Sequence, residues 1–171
     1  MMTTPPSDTD NPWFSQDEAD RYMAAARDVL HGDLCRLLLL GSLRGCEGRS
    51  LLRGDLRLEA ASPYLVVNTR TLDVDAETVR LLRDRLAWRE RARDRATRWD
   101  DPADHVFTTE SGAPISEGQL RRIHTRICTR AGLRPITIRG LRHTSVSLLI
   151  VAGVPLAKVA RILGHPTWQG R

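Results

Sequence analysis

The stretch from Ile136 to His165 constrains the fold of this chain more than any other part. It begins with an apolar segment whose inward residues recur at helical spacing, so a helix is predicted there. A tight Ala-Gly-Val turn follows, and a second helix is predicted with Pro155 at its first position. The buried face of this helix is expected to consist of Leu156, Val159, Ala160 and Leu163. Gly164 is expected to end the second helix in the left-handed conformation. This bent helix pair is predicted to bring Arg142, in the first turn of its first helix, close to His165.

Hydrophobic periodicity elsewhere predicts a mainly helical fold. Further helices are expected at about residues 15–29, 33–40, 76–98 and 116–131. Ser15 and Glu18 are predicted to form a capping box at the start of the first of these helices. Strands at 64–67 and 70–74 are expected to form a hairpin, and residues 105–108 a short edge strand. The fold class is therefore mainly α, an α+β domain with one small antiparallel sheet. Residues 1–12 are expected to be a disordered tail, and residues 13–171 a single domain.

The charged residues favour a polyanionic partner. The chain has 26 basic residues against 21 acidic ones and a formal net charge of +5. Only Lys158 is a lysine, and the planar fork of arginine is well suited to phosphate. A GC-rich genome produces the same preference for arginine, however, so composition alone does not decide in favour of nucleic acid.

The spacing of the cysteines and the hydropathy of the chain indicate in which cellular compartment the protein is expected. Cys35, Cys46 and Cys128 have no spacing typical of a zinc site or a disulfide framework, so we interpret them as buried side chains in a reducing cytoplasm. No apolar run is long enough to span a membrane, and the polar, proline-rich start does not resemble a signal peptide. We therefore expect a cytoplasmic protein that has no membrane partner and binds no metal or small-molecule cofactor.

The helix predicted at 76–98 has two contrasting faces. Val79, Leu82 and Leu86 are expected to face inward, while eight arginines lie between Arg80 and Arg98 on the opposite face. Acidic residues are interleaved with these arginines. That mixture favours a solvated face over a stripe that follows DNA.

Three short motifs contain the residues suited to phosphate chemistry. Arg44 follows a turn and precedes Glu47 by three residues, and a second segment contains Arg139 and Arg142 followed by His-Thr. The third motif is the Leu-Gly-His that ends at His165. In order and spacing they resemble the R-x-x-E, H-x-L-R-H-T and L-G-H motifs of the catalytic domain of the tyrosine recombinase, or phage integrase, family. The resemblance extends from about residue 14 to residue 167.

The resemblance implies a chemistry and a set of site residues. In this family a tyrosine attacks a DNA phosphodiester and forms a covalent 3′-phosphotyrosyl bond. Arg44 and Arg142 would stabilise the charged transition state, with His165 as a further donor and Arg139 beside them. Glu47 would brace the arginines, as would His143. The implied partner is double-stranded DNA, on which copies of the chain could assemble as a homo-oligomer. The residues expected to contact DNA are Arg44, Arg70, Arg139 and Arg142.

The chain departs from the family pattern in four places. Arg139 replaces the first histidine of the H-x-L-R-H-T motif, and arginine cannot act as a general base near neutral pH. The predicted hairpin contains Arg70 but not the family's lysine. The nucleophilic tyrosine would fall beyond Arg171, and the amino-terminal clamp domain of the family has no counterpart. These departures predict a truncated or degenerate copy that engages DNA but does not complete strand cleavage.

Two alternatives remain open at the level of the sequence. The first is a non-enzymatic, basic DNA-binding protein or regulator that keeps the same scaffold. The second is an ordinary helix-turn-helix repressor whose arginines are surface charge. The spatial relation of Arg44 to Arg142 separates them, because a repressor has no reason to bring these two residues together.

Overall fold

The computed structural model describes residues 11–164. Within this range the chain forms α1 (Gln16–Ala26), α2 (Gly32–Leu40), α3 (Gly45–Arg49), α4 (Ala76–Arg95), α5 (Glu117–Ala131), α6 (Ile138–Val151) and α7 (Leu156–Leu163). A short 3-10 turn at Arg53–Asp55 and the strands β1 (Leu56–Arg57), β2 (Tyr64–Val67) and β3 (Arg70–Asp73) lie between α3 and α4. The predicted fold class, mainly α with one small antiparallel sheet, is confirmed.

The core is organised around α2, which packs against α1, α4, α5 and α6. A helix surrounded in this way buries most of its circumference, so nearly every residue after Asp33 is apolar. Leu34, Leu37 and Leu38 are fully buried. Each such leucine contributes about 2 kcal/mol of burial energy. In the described part of the chain, none of the helices is long and apolar enough to cross a membrane.

The start of α1 follows the prediction closely. Ser15 Oγ accepts a hydrogen bond from the N–H of Glu18, and the Glu18 carboxylate accepts one from the N–H of Ser15. This capping box fixes the first turn of the helix. Phe14 is buried, and its N–H donates to Thr144 Oγ1 in α6 at 2.9 Å. The amino-terminal end of α1 is therefore tied directly to α6.

The sheet is antiparallel in the order β1-β2-β3. Val67 pairs with Arg70 at the end of the β2–β3 hairpin, which leaves the predicted two-residue turn of Asn68 and Thr69. Asn68 has a φ of 54°, a conformation that asparagine tolerates and that tight hairpin turns require. The hairpin therefore fixes Arg70 as the first residue after the turn. The two-residue strand β1 was not predicted.

The prediction of one solvated arginine face on α4 is wrong for two residues, because Arg85 and Arg89 are buried. Arg85 Nε donates to the carbonyl of Val106 at 3.1 Å, and its guanidinium lies 4.1 Å from the centre of the Trp88 ring. Arg89 Nη2 lies 3.0 Å from an oxygen of Asp101. The loop after α4 thus folds back over these arginines and supplies the acceptors that let them be buried.

The same contacts explain why residues 105–108 do not form the predicted edge strand. The carbonyls of Val106 and Thr108 accept hydrogen bonds from Arg85 at 3.1 and 2.5 Å. Two isolated bridges are all that this segment forms with other backbone. They join Leu52 to His105 and Thr108 to Pro114. An arginine side chain therefore satisfies backbone groups that a neighbouring strand would otherwise bind.

The predictions for the two ends of α7 and for the three cysteines are confirmed only in part. Gly164 ends α7 with a φ of 70°, as predicted. Pro155 is the residue before the first turn of α7 instead of its first residue, and Leu156, expected to be buried, is 70% exposed. Cys35 and Cys128 are buried as interpreted, but Cys46 is exposed because it lies on the outer side of the short helix α3.

A buried hydrogen-bonded chain joins α1, α5 and the segment before α6. Tyr22 Oη lies 2.6 Å from His124 Nδ1, and His124 Nε2 lies 2.8 Å from the carbonyl of Ile136. A carbonyl only accepts, so Nε2 carries the proton and Nδ1 accepts from the tyrosine. Burial lowers the pKa of His124 below its usual 6.5.

We predict that His124→Gln reduces the pH dependence of the free energy of unfolding. The folded state resists protonation of His124, whereas the unfolded state binds a proton as the pH falls through about 6.5. Stability of the wild type should therefore decrease between pH 7 and pH 5. Urea titrations at a series of pH values measure how steeply the free energy of unfolding falls as the pH is lowered. An equally steep fall in the variant would contradict the prediction.

Candidate functional site

Arg44, Arg139 and Arg142, which lie far apart in the sequence, line a single surface cavity of about 500 Å³. The cavity lies where the start of α3, the first half of α6 and the end of α7 meet. The remaining lining residues are Gly45, His143, Val146 and Leu163. Three of the four predicted site arginines with described positions therefore share one concave surface.

Arg44 is held at the mouth of the cavity by the start of α3. It is the residue immediately before the helix, in an extended conformation, and it follows the fully buried Leu43. Its backbone N–H donates to Glu47 Oε2 at 2.8 Å, and its Nη1 lies 3.1 Å from Glu47 Oε1. The side chain is 52% exposed. Arg44 thus combines a fixed backbone with a guanidinium that is open to solvent.

A close approach between helices explains why Gly45 follows Arg44. A Cβ atom at this position would lie 3.0 Å from Ile138 Cγ2 and 3.2 Å from Leu120 Cδ2. The absence of a side chain therefore allows α3 to pack closely against α5 and α6. This packing brings Arg44 to the two arginines of α6.

Arg142 is more buried than Arg44 and is bound on several sides. Its Nη1 donates to the carbonyl of Ser42 at 2.9 Å, and its Nη2 donates to the carbonyl of Leu163 at 2.9 Å. Nη1 also lies 3.5 Å from Glu47 Oε2. Only 12% of the side chain is exposed. The guanidinium is therefore fixed in place at the wall of the cavity.

The predicted position of Arg142 in its helix is wrong by one turn. The helix begins at Ile138, with the Thr137 side chain accepting from the N–H of Gly140 at 3.0 Å, so Arg142 is its fifth residue. Arg139 takes the place in the first turn, near the positive end of the helix. It is exposed and has no hydrogen-bond or ion-pair partner among residues 11–164.

Glu47 is the acidic centre of the arginine cluster, and its side chain is only 2% exposed. Arg70 binds both of its oxygens, with Nη1–Oε1 and Nη2–Oε2 distances of 2.8 and 3.1 Å. Asn68 Nδ2 donates to Oε1 at 3.3 Å. Burial raises the pKa of Glu47, but the bonds from Arg70 and from the N–H of Arg44 outweigh it and bring the pKa to about 2. Glu47 is therefore ionised throughout the physiological range.

The cluster keeps an excess of positive charge, since three guanidinium groups contact one carboxylate and Arg139 lines the same cavity as two of them. Burial lowers the pKa of Arg142, and repulsion from Arg44 lowers it further against the opposing effect of Glu47. Arginine stays protonated despite such a shift. A bound anion would reduce the repulsion between Arg142 and the arginines beside it.

Arg70, expected from the sequence to contact DNA, does not line the arginine cavity. Besides its two bonds to Glu47, its Nε donates to the carbonyl of Ile162 in α7 at 3.0 Å. Its side chain is 13% exposed. All three guanidinium nitrogens thus have partners within the protein.

His165, predicted as a further donor to the phosphate, lies outside the described residues. The structure instead shows how the chain approaches it. The last two carbonyls of α7, those of Ile162 and Leu163, accept from Arg70 and Arg142. The end of α7 is therefore fixed against the arginine cluster.

Sequence reasoning missed two residues of the cluster. Ser42 has a φ of 51°, its hydroxyl lies 2.5 Å from that of Ser145, and its carbonyl binds Arg142. Asn68 contributes its amide to Glu47 from the hairpin turn. The Gly-Ser and Asn-Thr turn signals were visible, but their contacts depend on the tertiary arrangement of α2, α6 and the sheet.

A second cavity of about 590 Å³ adjoins the first, because Gly45 and Arg139 line both. Arg49, Arg121 and the exposed Cys46 are among its other lining residues. Basic side chains therefore continue from the arginine cluster along α3 and α5. Within the described residues, no group of His, Cys, Asp and Glu side chains is arranged to hold a metal ion.

Comparison with known proteins identifies the family of this chain. The model of the phage integrase family matches residues 12–169. The chain belongs to the phage integrase family. Over 61 residues it is 39% identical to a "Tyrosine recombinase XerC-like" protein of Caldanaerobacter subterraneus subsp. tengcongensis, covering 36% of this chain and 16% of that relative.

Solved recombinases share the fold. The XerH site-specific recombinase in its post-cleavage complex with palindromic difH aligns with a TM-score of 0.77 and 20% identity over 91% of this chain and 46% of that one. The Tn1549 transposon integrase in complex with circular intermediate DNA aligns with a TM-score of 0.76 and 18% identity over 95% of this chain and 60% of that one. The phage integrase chain described here thus spans about half the length of these solved relatives.

We predict that Glu47→Gln destabilises the fold by about 3 kcal/mol at pH 7, because it leaves partly buried arginines without their counter-charge. The wild type should also lose stability as the pH falls through about 4.5 towards 2, where the carboxylate gains a proton in the unfolded state first. The variant should lack this loss. Denaturant titrations at several pH values measure both effects.

Glu59→Gln is the matched control, since Glu59 pairs with Arg83 at the surface and its side chain is 85% exposed. Its effect should stay below about 1 kcal/mol. Equal effects of the two substitutions would show that the Glu47 cluster does not contribute specially to the fold.

Proposed function

We propose that this member of the phage integrase family binds a backbone phosphate of duplex DNA in the arginine cavity, as a site-specific recombinase or integrase does. The observation that supports this most is the meeting of Arg44, Arg139 and Arg142 at one exposed cavity. Three like charges on one concave surface repel one another, and a bound anion would compensate this repulsion.

The geometry suits phosphate in particular. Arg44 is half exposed, with one guanidinium nitrogen bound to Glu47, so its remaining N–H groups are able to reach a non-bridging oxygen. Arg142 is fixed by two carbonyls but retains further donors on the same nitrogens. During phosphoryl transfer, negative charge accumulates on the non-bridging oxygens, and preorganised donors stabilise it. His165, the fourth predicted site residue, would add a donor from beyond Gly164.

The names of the relatives support DNA as the partner. XerH was solved bound to its difH substrate, and the Tn1549 integrase in complex with circular intermediate DNA. By analogy, this chain would bind double-stranded DNA, and copies of it would assemble on that DNA as a homo-oligomer. Neither role requires a metal or a small-molecule cofactor.

We further propose that the 171-residue chain by itself binds DNA without cutting it. It contains two tyrosines. Tyr22 is fully buried with its hydroxyl on His124, and Tyr64 lies within the sheet, paired with Asp73. Neither lines the arginine cavity. A second candidate function on the same scaffold is a non-enzymatic DNA-binding protein or regulator, which would use the arginine cavity for phosphate binding alone.

We predict that Arg139→Ala weakens binding to duplex DNA several-fold for every sequence tested. Because one phosphate contact is lost, the slope of log K against log salt should fall by about 1. Arg139 suits this test because its removal breaks no hydrogen bond or ion pair among residues 11–164. Fluorescence anisotropy at several salt concentrations gives both quantities.

Arg80→Ala is the control, since Arg80 is an exposed arginine on α4 and does not line the arginine cavity. Arg80→Ala changes the net charge by the same amount as Arg139→Ala and should leave the slope of log K against log salt unchanged. If the two variants behave alike, binding depends on overall charge and not on the cavity.

We predict that the 171-residue chain forms no covalent adduct with DNA. A nicked duplex that traps covalent intermediates, followed by denaturing electrophoresis, tests this. The expected result is free protein and free DNA, since neither tyrosine reaches the cavity. A shifted band that disappears in Tyr22→Phe or Tyr64→Phe would identify a nucleophile and overturn the prediction.

A further inference from the structure

Arg70 is distinguished from the other arginines of the cluster by the completeness of its internal bonding. Nη1 and Nη2 bind the two oxygens of Glu47 at 2.8 and 3.1 Å, and Nε binds the carbonyl of Ile162 at 3.0 Å. The two-pronged pairing with a carboxylate is the strongest geometry available to arginine. The third bond extends this pair to another element, α7.

The bond to Ile162 satisfies a backbone group that α7 cannot satisfy itself. The last carbonyls of a helix have no partner within it and carry a negative partial charge. Arg142 does the same for the next carbonyl, that of Leu163, at 2.9 Å. Two guanidinium groups, both near Glu47, therefore bind the final two residues of α7.

Apolar packing of α7 involves few side chains, namely the buried Val159 and the partly buried Ile162, which packs against the core. The helix has eight residues, of which only Val159 is buried, and Leu156 is 70% exposed. Its principal neighbour is α6. The arginine bonds at its end are therefore a large part of what fixes it.

Arg70 also contacts the residue at which the chain leaves α7. A Cβ atom on Gly164 would lie 2.8 Å from Arg70 Cδ, and Gly164 has a φ of 70°. The stem of the arginine thus packs directly under the glycine. Leu163, the preceding residue, lines the arginine cavity. The position of Gly164, the last described residue, therefore depends on Arg70.

We propose that Arg70 is a positioning residue, which ties the end of α7 to Glu47 and so fixes one wall of the arginine cavity and the position of Gly164. It does not bind a DNA phosphate. Three of its five guanidinium N–H groups are bonded within the protein, its side chain is 13% exposed, and it does not line the arginine cavity. This assignment replaces the sequence-based expectation that Arg70 contacts DNA.

The test compares Arg70→Gln with wild type in two measurements on the 171-residue chain. Amide hydrogen exchange reports the stability of α7, and the salt dependence of DNA binding counts phosphate contacts. Loss of the charge-assisted bonds should accelerate exchange of the last amides of α7 by about tenfold or more. Exchange should accelerate by a larger factor at the end of α7 than in α5, which would show that the effect is concentrated at α7. The salt slope should equal that of the wild type.

Arg70→Lys provides the rescue. One ammonium group can bind Glu47 or the Ile162 carbonyl but not form the fork, so exchange in α7 should lie between wild type and Arg70→Gln. This variant also carries the test if Arg70→Gln does not fold. Arg80→Gln is the matched control and should leave both measurements unchanged.

Two results would overturn the proposal: exchange of α7 at the wild-type rate in Arg70→Gln, or a salt slope lowered by about 1 in that variant. The DNA measurement rests on the proposed function, but the exchange measurement does not. If the wild type does not bind DNA, the proposed function fails, and exchange in α7 still decides the role of Arg70.

Discussion

The buried carboxylate of Glu47 is the interaction on which the functional region depends. It holds Arg44 through the backbone N–H and the guanidinium, Arg70 through a fork, and Arg142 at longer range. These arginines come from α3, β3 and α6, so one charge joins three separate parts of the chain. Without this carboxylate, the arginines would repel one another and would not stay close together around the cavity. With it, the cluster is stable and still carries the excess positive charge that suits an anion.

Arginine has two distinct uses in this chain, and the net charge does not separate them. Arg85 and Arg89 on α4 are buried, where they bind loop carbonyls and acidic side chains and lie beside Trp88 and Trp99. Arg139 is exposed, and Arg44 is half exposed, at the cavity. The charge that we propose for DNA binding is that of the arginine cavity and of the adjoining surface of α3 and α5, and the total number of arginines overstates it.

The parts of the fold that depend on local sequence were predictable. The capping box at Ser15, the two-residue hairpin turn and the glycine stop at Gly164 each follow from interactions within a few residues. The meeting of Arg44 and Arg142 was suggested by motif order. Contacts between distant segments were not predictable in the same way: the burial of Arg85 needs the carbonyls of a later loop, and the bond between Arg70 and α7 needs both the hairpin and the helix in place. The start of α6 was misplaced because Thr137, its cap, precedes the apolar segment that indicated the helix.

The central claim is that Arg44, Arg139 and Arg142 bind one phosphate group together. The most direct test is NMR observation of the arginine side-chain N–H resonances, assigned with single arginine-to-lysine variants, during titration with a short DNA duplex. We predict that the resonances of these three arginines shift together and saturate at one duplex concentration, while that of Arg70 moves only slightly. Shifts confined to exposed arginines of α4, such as Arg80 and Arg83, with the cavity arginines unchanged, would contradict it.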